Sequence, residues 1–211
     1  MAHFALVFAL NEAFVDTEAH ERTAREMVEK AGHTCAVWRR DTATYSLWRF
    51  IREQLRTGAP LCIVYKGHGT KWGWRYKTGM LYPYWLLAWQ IAAVREQRIT
   101  AIINDTCHGG AIAEWLKRTR FRRKKTIVLS SSISERTTYA DDIFEFTHVG
   151  TMLHDWFVAR KPFDPFEYEH NVQDSSIERG GWPHWRREGP ERYGSQNIDE
   201  HFFSVPRETD S

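Results

Sequence analysis

The chain has 211 residues, of which 42% are hydrophobic and 14% aromatic, and its formal net charge is +2. This length and apolar content suit one globular domain with a substantial core. The small net charge argues neither for nor against a nucleic-acid partner, which we do not expect. No apolar stretch approaches the roughly 20 residues of a membrane span, and the apolar start lacks the basic region of a signal peptide. The three cysteines include no CxxC pair, which favours a reducing compartment. We therefore expect a cytoplasmic protein with no membrane partner.

Strands and helices alternate along the first 160 residues. Apolar runs predict strands, and apolar side chains at helical spacing predict helices. In chain order the predicted elements are a strand at 3–10, a helix from about 17 to 31, a strand at 33–39, a helix near 44–57, a strand at 59–67, a loop or short hairpin at 70–83, a helix from 84 to about 98, a strand at 99–105, a helix at 110–117, a strand at 124–132 and a helix at about 142–160. This alternation predicts an α/β sandwich around a mostly parallel sheet.

The last fifty residues differ from the rest in composition. They are rich in proline, glycine, charged and aromatic residues, and their aromatic side chains argue against plain disorder. We expect residues 1–161 to form the core and residues 162–211 to form an extension that wraps over it. Within this extension, "EHFFSV" (residues 200–205) has the pattern of an edge strand.

Two apolar strands end in a glycine-flanked reactive side chain. The stretch "YKGHGT" (residues 65–70) carries His68, and "INDTCHGGAI" (residues 103–112) carries Cys107. In an open parallel sheet, functional side chains gather at the carboxyl ends of the strands. If these two strands are neighbours, an imidazole and a thiol meet at one edge, as nucleophilic cysteine catalysis requires.

The backbone around both residues also suits a reaction at a carbonyl group. Gly67 and Gly69 permit unusual backbone angles, and Gly69 can present its N–H to a substrate carbonyl oxygen. The N–H of Cys107 lies at the turn from strand to helix. Together these two N–H groups predict an oxyanion hole.

The paired motifs resemble those of the caspase-like cysteine peptidases, and of the metacaspases in particular. That family has a strand ending in "GHG" and a second strand ending in an Asp-x-Cys-His-Ser-Gly motif, for which this chain has "YKGHGT" and "NDTCHGGA", with Gly109 in place of serine. "TIVLSSS" followed by "VGTMLHDWF" and the segment "EGPERYGSQNIDEHFF" extend the resemblance to most of the chain, although Glu188 stands where glutamine is usual. The resemblance implies a three-layer α/β/α sandwich with about six strands. It also implies a cysteine endopeptidase that acts on protein or peptide substrates.

The resemblance also assigns roles to individual residues. His68 is the general acid/base and Cys107 the nucleophile, while Gly69 and the Cys107 amide bind the oxyanion. Asp105 then belongs to the S1 pocket, where its carboxylate would pair with a substrate Arg or Lys. Further substrate-binding positions implied by the family are Asp41, Ser130, Ser131 and Ser132.

Each of these roles has a structural alternative. Asp105 could equally cap the turn after its strand. Arg39 and Arg40 could neutralise Asp41 or suit acidic substrates. Cys35 and Cys62 lie inside predicted strands and are expected to be core residues. Trp72 and Trp74 could form a wall of the substrate cleft or a lid, or could pack on the C-terminal extension.

Two charged segments have more than one interpretation. The basic run "KRTRFRRKK" (residues 117–125) is most simply a solvated helix end, but it could also be a self-cleavage loop or a nucleic-acid patch. The acidic side chains Asp141, Asp142 and Glu145 resemble a calcium site, although acids at the start of a helix are ordinary partners of its dipole. We expect no cofactor and no bound metal, with calcium activation as an open alternative.

A non-enzymatic function is the main rival. A caspase-like scaffold with an unused dyad could bind partners through its aromatic tail and its tryptophan-rich loop. The sequence leaves the oligomeric state open, since the last strand of the sheet could pair with a second copy or be covered by the tail.

Overall fold

The computed structural model describes residues 1–9, 17–40, 45–95, 99–118, 125–130 and 186–188. Within these ranges there are four helices and eight strands, and the first eleven of these elements follow the predicted order. They are β1 (His3–Ala9), α1 (Thr17–Lys30), β2 (Thr34–Arg39), α2 (Leu47–Gln54), β3 (Leu61–Thr70), β4 (Gly73–Lys77), β5 (Met80–Pro83), α3 (Tyr84–Ala93), β6 (Ile99–Asp105), α4 (Ala111–Arg118), β7 (Lys125–Ser130) and β8 (Arg186–Glu188).

The main sheet has the order β2-β1-β3-β6-β7-β8. The first five strands on this path are parallel to their neighbours, and β8 pairs antiparallel with β7. The predicted α/β fold with a mostly parallel sheet of about six strands is therefore confirmed. β3 and β6, whose ends carry the two candidate motifs, are direct neighbours near the middle of the sheet.

Helices cover both faces of this sheet, because alternate residues of each strand point to opposite faces. In β1, Phe4 and Leu6 pack with α1 side chains such as Val28 in one core. Ala5 and Val7 face a second, larger core, which is completed by apolar side chains from α2, α3 and α4. The two cores give the three layers of the sandwich and fix the central strands, which are buried on both faces.

The third strand is longer than its apolar run suggests. β3 continues through His68 to Thr70, because this segment pairs antiparallel with β4, and β4 in turn pairs with β5. His68 therefore lies within a strand. The sequence had suggested that it lies in the loop after the strand, and this prediction is wrong. The predicted hairpin within residues 70–83 is present as the β4–β5 pair.

The predicted helix at 84–98 ends earlier than its pattern indicates. α3 stops at Ala93, since the next residue, Val94, has an extended backbone with φ −86° and ψ 114°. Several other predictions lie outside the described residues. These are the helix at about 142–160, the "EHFFSV" strand and the boundary between residues 161 and 162.

β8 shows one contribution of the predicted extension to the sheet. Its backbone pairs with the end of β7, with Glu188 opposite Val128 and Arg186 opposite Ser130. Sequence reasoning missed this strand, because "RRE" has neither an apolar run nor an alternating pattern. None of the helices that the structure describes is both long and apolar enough to cross a membrane.

Candidate active site

The register of β3 and β6 places His68 and Cys107 at matching positions. The last register pair between these parallel strands joins Lys66 to Asp105. His68 follows Lys66 by two residues, and Cys107 follows Asp105 by two residues. Both residues therefore follow that pair at the same edge of the sheet, where neighbouring strands lie about 4.8 Å apart.

The two motifs are also in contact through their backbones. A β-carbon built on Gly69 would lie 2.5 Å from the carbonyl oxygen of Cys107 and would collide with the side chain of Thr106. Only glycine fits at this position, since part of the obstacle is backbone that cannot rotate away. The GHG segment and the Cys107 segment therefore meet directly, as the hypothesis of a single site requires.

Cys107 lies in a tight turn between β6 and α4. The N–H of Gly109 donates a hydrogen bond to the carbonyl of Thr106 at 3.2 Å, which closes the turn over Cys107 and His108. His108 has a φ of 57°, which makes it the one residue other than glycine with positive φ among the described residues. A left-handed backbone is unfavourable for a side chain other than glycine and is common at functional sites. The turn presents Cys107, which is partly exposed, at the end of the strand.

The His68 segment is held by an aromatic stack beneath it. The hydroxyl of Tyr65 donates to the carbonyl of His68 at 2.8 Å and to that of Arg75 at 3.3 Å. The Tyr65 ring stacks on the Trp74 indole, with centroids 4.3 Å apart and planes at 3°. Trp74 is itself the register partner of Gly69. The backbone of His68 is therefore fixed, while its side chain is exposed at the surface.

A buried amide connects this stack to the Cys107 turn. The Asn104 side-chain oxygen accepts a hydrogen bond from Trp74 Nε1 at 2.6 Å, and its nitrogen donates to the carbonyl of Gly109 at 2.7 Å and to the Tyr84 hydroxyl at 3.3 Å. Burial raises the pKa of Tyr84 well above its ordinary value, which keeps this hydroxyl neutral. Sequence reasoning missed Asn104, although an amide inside the apolar run "ITAIIND" was a visible signal.

The other two cysteines are unsuited to nucleophilic chemistry. Cys62 is fully buried in β3, and this burial raises the pKa of its thiol well above the ordinary value. Burial and the nearby Glu29 carboxylate raise the pKa of Cys35 as well. A raised thiol pKa lowers the thiolate fraction at neutral pH, so both thiols are expected to react slowly.

The predicted substrate-binding residues are only partly described. Asp105 is the last residue of β6, and Ser130 is the last residue of β7, paired in register with Asn104. Both therefore end strands at the edge that carries His68 and Cys107. Asp41, Ser131 and Ser132 lie outside the described residues, as do the acids Asp141, Asp142 and Glu145. Within the described ranges, no three His, Cys, Asp or Glu side chains cluster as metal ligands would.

The two arginines that precede Asp41 in the sequence have structural partners. Arg39 forms ion pairs with Glu18 at 3.2 Å and Glu21 at 3.1 Å, which join the end of β2 to α1. Arg40 donates a hydrogen bond at 2.8 Å to the hydroxyl of Thr78, in the hairpin between β4 and β5. These contacts bind both arginines to neighbouring elements of the fold.

Comparisons with known proteins identify the architecture. No family model matches the chain, and no curated protein matches its sequence. Among solved structures, caspase-1 from Spodoptera frugiperda superimposes with a TM-score of 0.52 at 12% identity, over 88% of this chain and 83% of that one. The drICE structure gives a TM-score of 0.53 at 11% identity, over 88% of this chain and 86% of that one.

The chain has the caspase fold. At 11–12% identity this similarity concerns architecture alone, so the chemistry of the site must be argued from its residues. In this caspase fold, the neighbouring strands β3 and β6 end in the histidine and cysteine motifs described above. The residues that carry the resemblance in sequence are thus the ones that the fold brings together.

Proposed function

We propose that the protein is a cysteine endopeptidase, closest in its motifs to the metacaspases, with Cys107 as nucleophile and His68 as general acid/base. The observation that carries the proposal is the direct contact of the two motifs, in which the Cys107 carbonyl lies against Gly69. Two reactive side chains in separate segments of a sequence form one site only if the fold brings those segments together. Here both are two residues beyond one register pair of parallel strands.

The proposed reaction proceeds through a thioester. His68 removes the proton of the Cys107 thiol, and the sulfur attacks the carbonyl carbon of the scissile peptide bond. The N–H groups of Gly69 and Cys107 stabilise the resulting oxyanion. As the C–N bond breaks, His68 gives its proton to the leaving amine. Water then hydrolyses the thioester, which releases the new carboxylate and restores the thiol.

Asp105 is the proposed determinant of cleavage after Arg or Lys. Its backbone ends β6 at the edge of the sheet that carries the dyad, two residues before the nucleophile. A carboxylate there would form a charge-assisted, bidentate hydrogen bond with a substrate arginine. The buried Lys66 is its register partner in β3.

The catalytic assignment predicts that Cys107→Ala abolishes hydrolysis of reporter peptides with Arg or Lys at P1. Cys62→Ala is the matched control, because it removes a thiol that is fully buried within the same sheet. It is expected to lower the melting temperature without removing activity per folded molecule. Hydrolysis that persists in Cys107→Ala at the wild-type rate would refute the proposal.

The P1 assignment predicts a selective effect of Asp105→Ala. Cleavage after Arg and Lys should fall by about 10²-fold relative to cleavage after uncharged residues, because a charged group would be left without its partner. The measurement is kcat/KM for a peptide series that varies only at P1. An unaltered P1 profile would show that Asp105 is not part of the S1 pocket, and it would not contradict the assignment of the dyad.

A partner-binding scaffold is the second candidate, and one surface observation favours it. Among the residues that the structure describes, three tryptophans are strongly exposed, namely Trp72 at 66%, Trp85 at 51% and Trp89 at 56%. Large exposed aromatics are enriched at protein interfaces. A protein that never reacts with peptidyl electrophiles but binds a partner through these side chains would fit this function.

A further inference from the structure

We propose that Asn104 is a positioning residue, which holds the turn that carries Cys107 at a fixed place relative to the strand that carries His68. The inference rests on the proposed function in assuming that these two side chains act together. Asn104 itself contacts neither the substrate nor the reacting atoms in this account. It acts through Gly109 on one side and through Trp74 on the other.

The first argument comes from the burial of this amide. Asn104 is fully buried in a strand whose neighbouring residues, Ile102 and Ile103, are also fully buried. Burying an amide costs free energy unless both its oxygen and its nitrogen find partners. Here the oxygen accepts from Trp74 Nε1, and the nitrogen donates to the Gly109 carbonyl and the Tyr84 hydroxyl. A leucine of the same shape would fill this position without requiring any of these partners.

The second argument is what the hydrogen bonds connect. Gly109 closes the Cys107 turn through its N–H, and its carbonyl is the acceptor for Asn104. Trp74 pairs with Gly69 in the ladder and stacks on Tyr65, whose hydroxyl binds the His68 carbonyl. A continuous series of contacts therefore runs from the His68 carbonyl through Tyr65, Trp74 and Asn104 to the turn over Cys107.

The third argument concerns direction. Hydrogen bonds weaken steeply when the donor is misaligned, whereas the hydrophobic effect has no preferred direction. The bonds of 2.6 Å from Trp74 Nε1 and of 2.7 Å to the Gly109 carbonyl join the hairpin to the turn. A misplacement of about 1 Å between reacting groups costs on the order of 10²-fold in rate. Asn104 is thus suited to fixing the distance between the two motifs.

The test compares Asn104→Leu with Gln90→Met. Gln90 is a second buried amide that faces the same core, where it accepts from the Tyr82 hydroxyl and donates to the Trp48 carbonyl at 3.3 Å. Each substitution replaces a buried amide by an apolar side chain of similar shape, but only Asn104 is bonded to the Cys107 turn. The readouts are the melting temperature, kcat and KM on a reporter peptide, and the pH profile of Cys107 alkylation by iodoacetamide without substrate.

We expect Asn104→Leu to lower kcat by about 10²-fold with little change in KM, and to slow the alkylation of Cys107 near neutral pH. Gln90→Met should lower the melting temperature to a similar extent but keep kcat and the alkylation profile. Trp74→Phe keeps an aromatic ring for the stack on Tyr65, and it removes the Nε1 donor together with part of the buried indole. It should reproduce the Asn104→Leu effect in weaker form.

The inference is overturned if Asn104→Leu retains the wild-type kcat and alkylation profile. If Asn104→Leu does not fold, Trp74→Phe decides, and wild-type values for that variant would overturn it equally. A wild-type protein that hydrolyses no peptide would refute the proposed function alone. In that case the alkylation profile still decides, because a change between wild type and Asn104→Leu supports positioning of Cys107 and identical profiles exclude it.

Discussion

The two strand ends that form the candidate site are built in different ways. β3 continues past the edge of the parallel sheet into a hairpin, so His68 lies in a regular ladder opposite Arg75. β6 stops at Asp105, and the chain turns over Cys107 with His108 in the left-handed region. Regular pairing and stacking thus fix the proposed proton carrier. The proposed nucleophile depends on a strained turn and on the few neighbours that hold it.

This difference implies that the site is most sensitive to substitutions where the ends of β3 and β6 are in contact. Gly69 lies against the Cys107 carbonyl, and Asn104 binds the carbonyl of Gly109. A change at either contact moves the turn, because the hairpin side is anchored by its own ladder and by the Tyr65–Trp74 stack. Changes that leave these contacts intact should have smaller effects on activity than on stability.

Gly69→Ala is expected to have the largest effect after loss of the dyad itself. Its β-carbon would lie 2.5 Å from the Cys107 carbonyl oxygen and against Thr106, so the two ends must separate. We expect kcat to fall by about 10²-fold or more, with a clear loss of melting temperature, as measured by reporter hydrolysis and thermal unfolding.

Gly58→Ala is the control for this substitution. Gly58 has a φ of 74° and open space around its β-carbon position, so alanine there costs about 1 kcal/mol of backbone strain without a clash. Its activity per folded molecule should match the wild type. The comparison fails if the two glycine variants lose stability and activity equally.

His108→Gly is expected to have the smallest effect. Glycine relieves the left-handed strain at φ 57°, worth about 1–2 kcal/mol, but glycine also costs roughly 0.5–1 kcal/mol of unfolded-state entropy. The melting temperature should therefore stay level or rise slightly. Turnover should remain close to wild type, since His68 carries the proton in this account. A loss of kcat as large as that of His68→Ala would instead make His108 the proton carrier.

Much of the fold could be predicted from local patterns. Continuous apolar runs located β1, β3 and β6 because a strand buried on both faces needs them. The positions of the two motifs followed from the rule that parallel strands end at a common edge. The extension of β3 to Thr70 could not be predicted, because "GHGT" has no apolar pattern and is a strand only through its pairing with β4.

The contacts within the site depend on tertiary structure and could be read only in part. The sequence identified Gly69 as a residue that permits unusual backbone angles. Its close approach to Cys107 could not be predicted, because it joins residues that are 38 positions apart in the sequence. Predicting the role of Asn104 would have required knowing that its side chain forms hydrogen bonds with Trp74 and Gly109. Asp41, Ser131 and Ser132 stay predictions, as does the preference for a basic P1 residue.

The most direct test of the central claim is covalent labelling by a peptidyl electrophile with arginine at P1, mapped by mass spectrometry in wild type and in His68→Ala. If the two strand ends form one site, the wild-type protein is labelled at Cys107. Cys35 and Cys62, whose pKa values are raised by burial, remain unmodified. Labelling should be much slower in His68→Ala. A Cys107 that does not react, or that reacts equally fast without His68, would contradict the account.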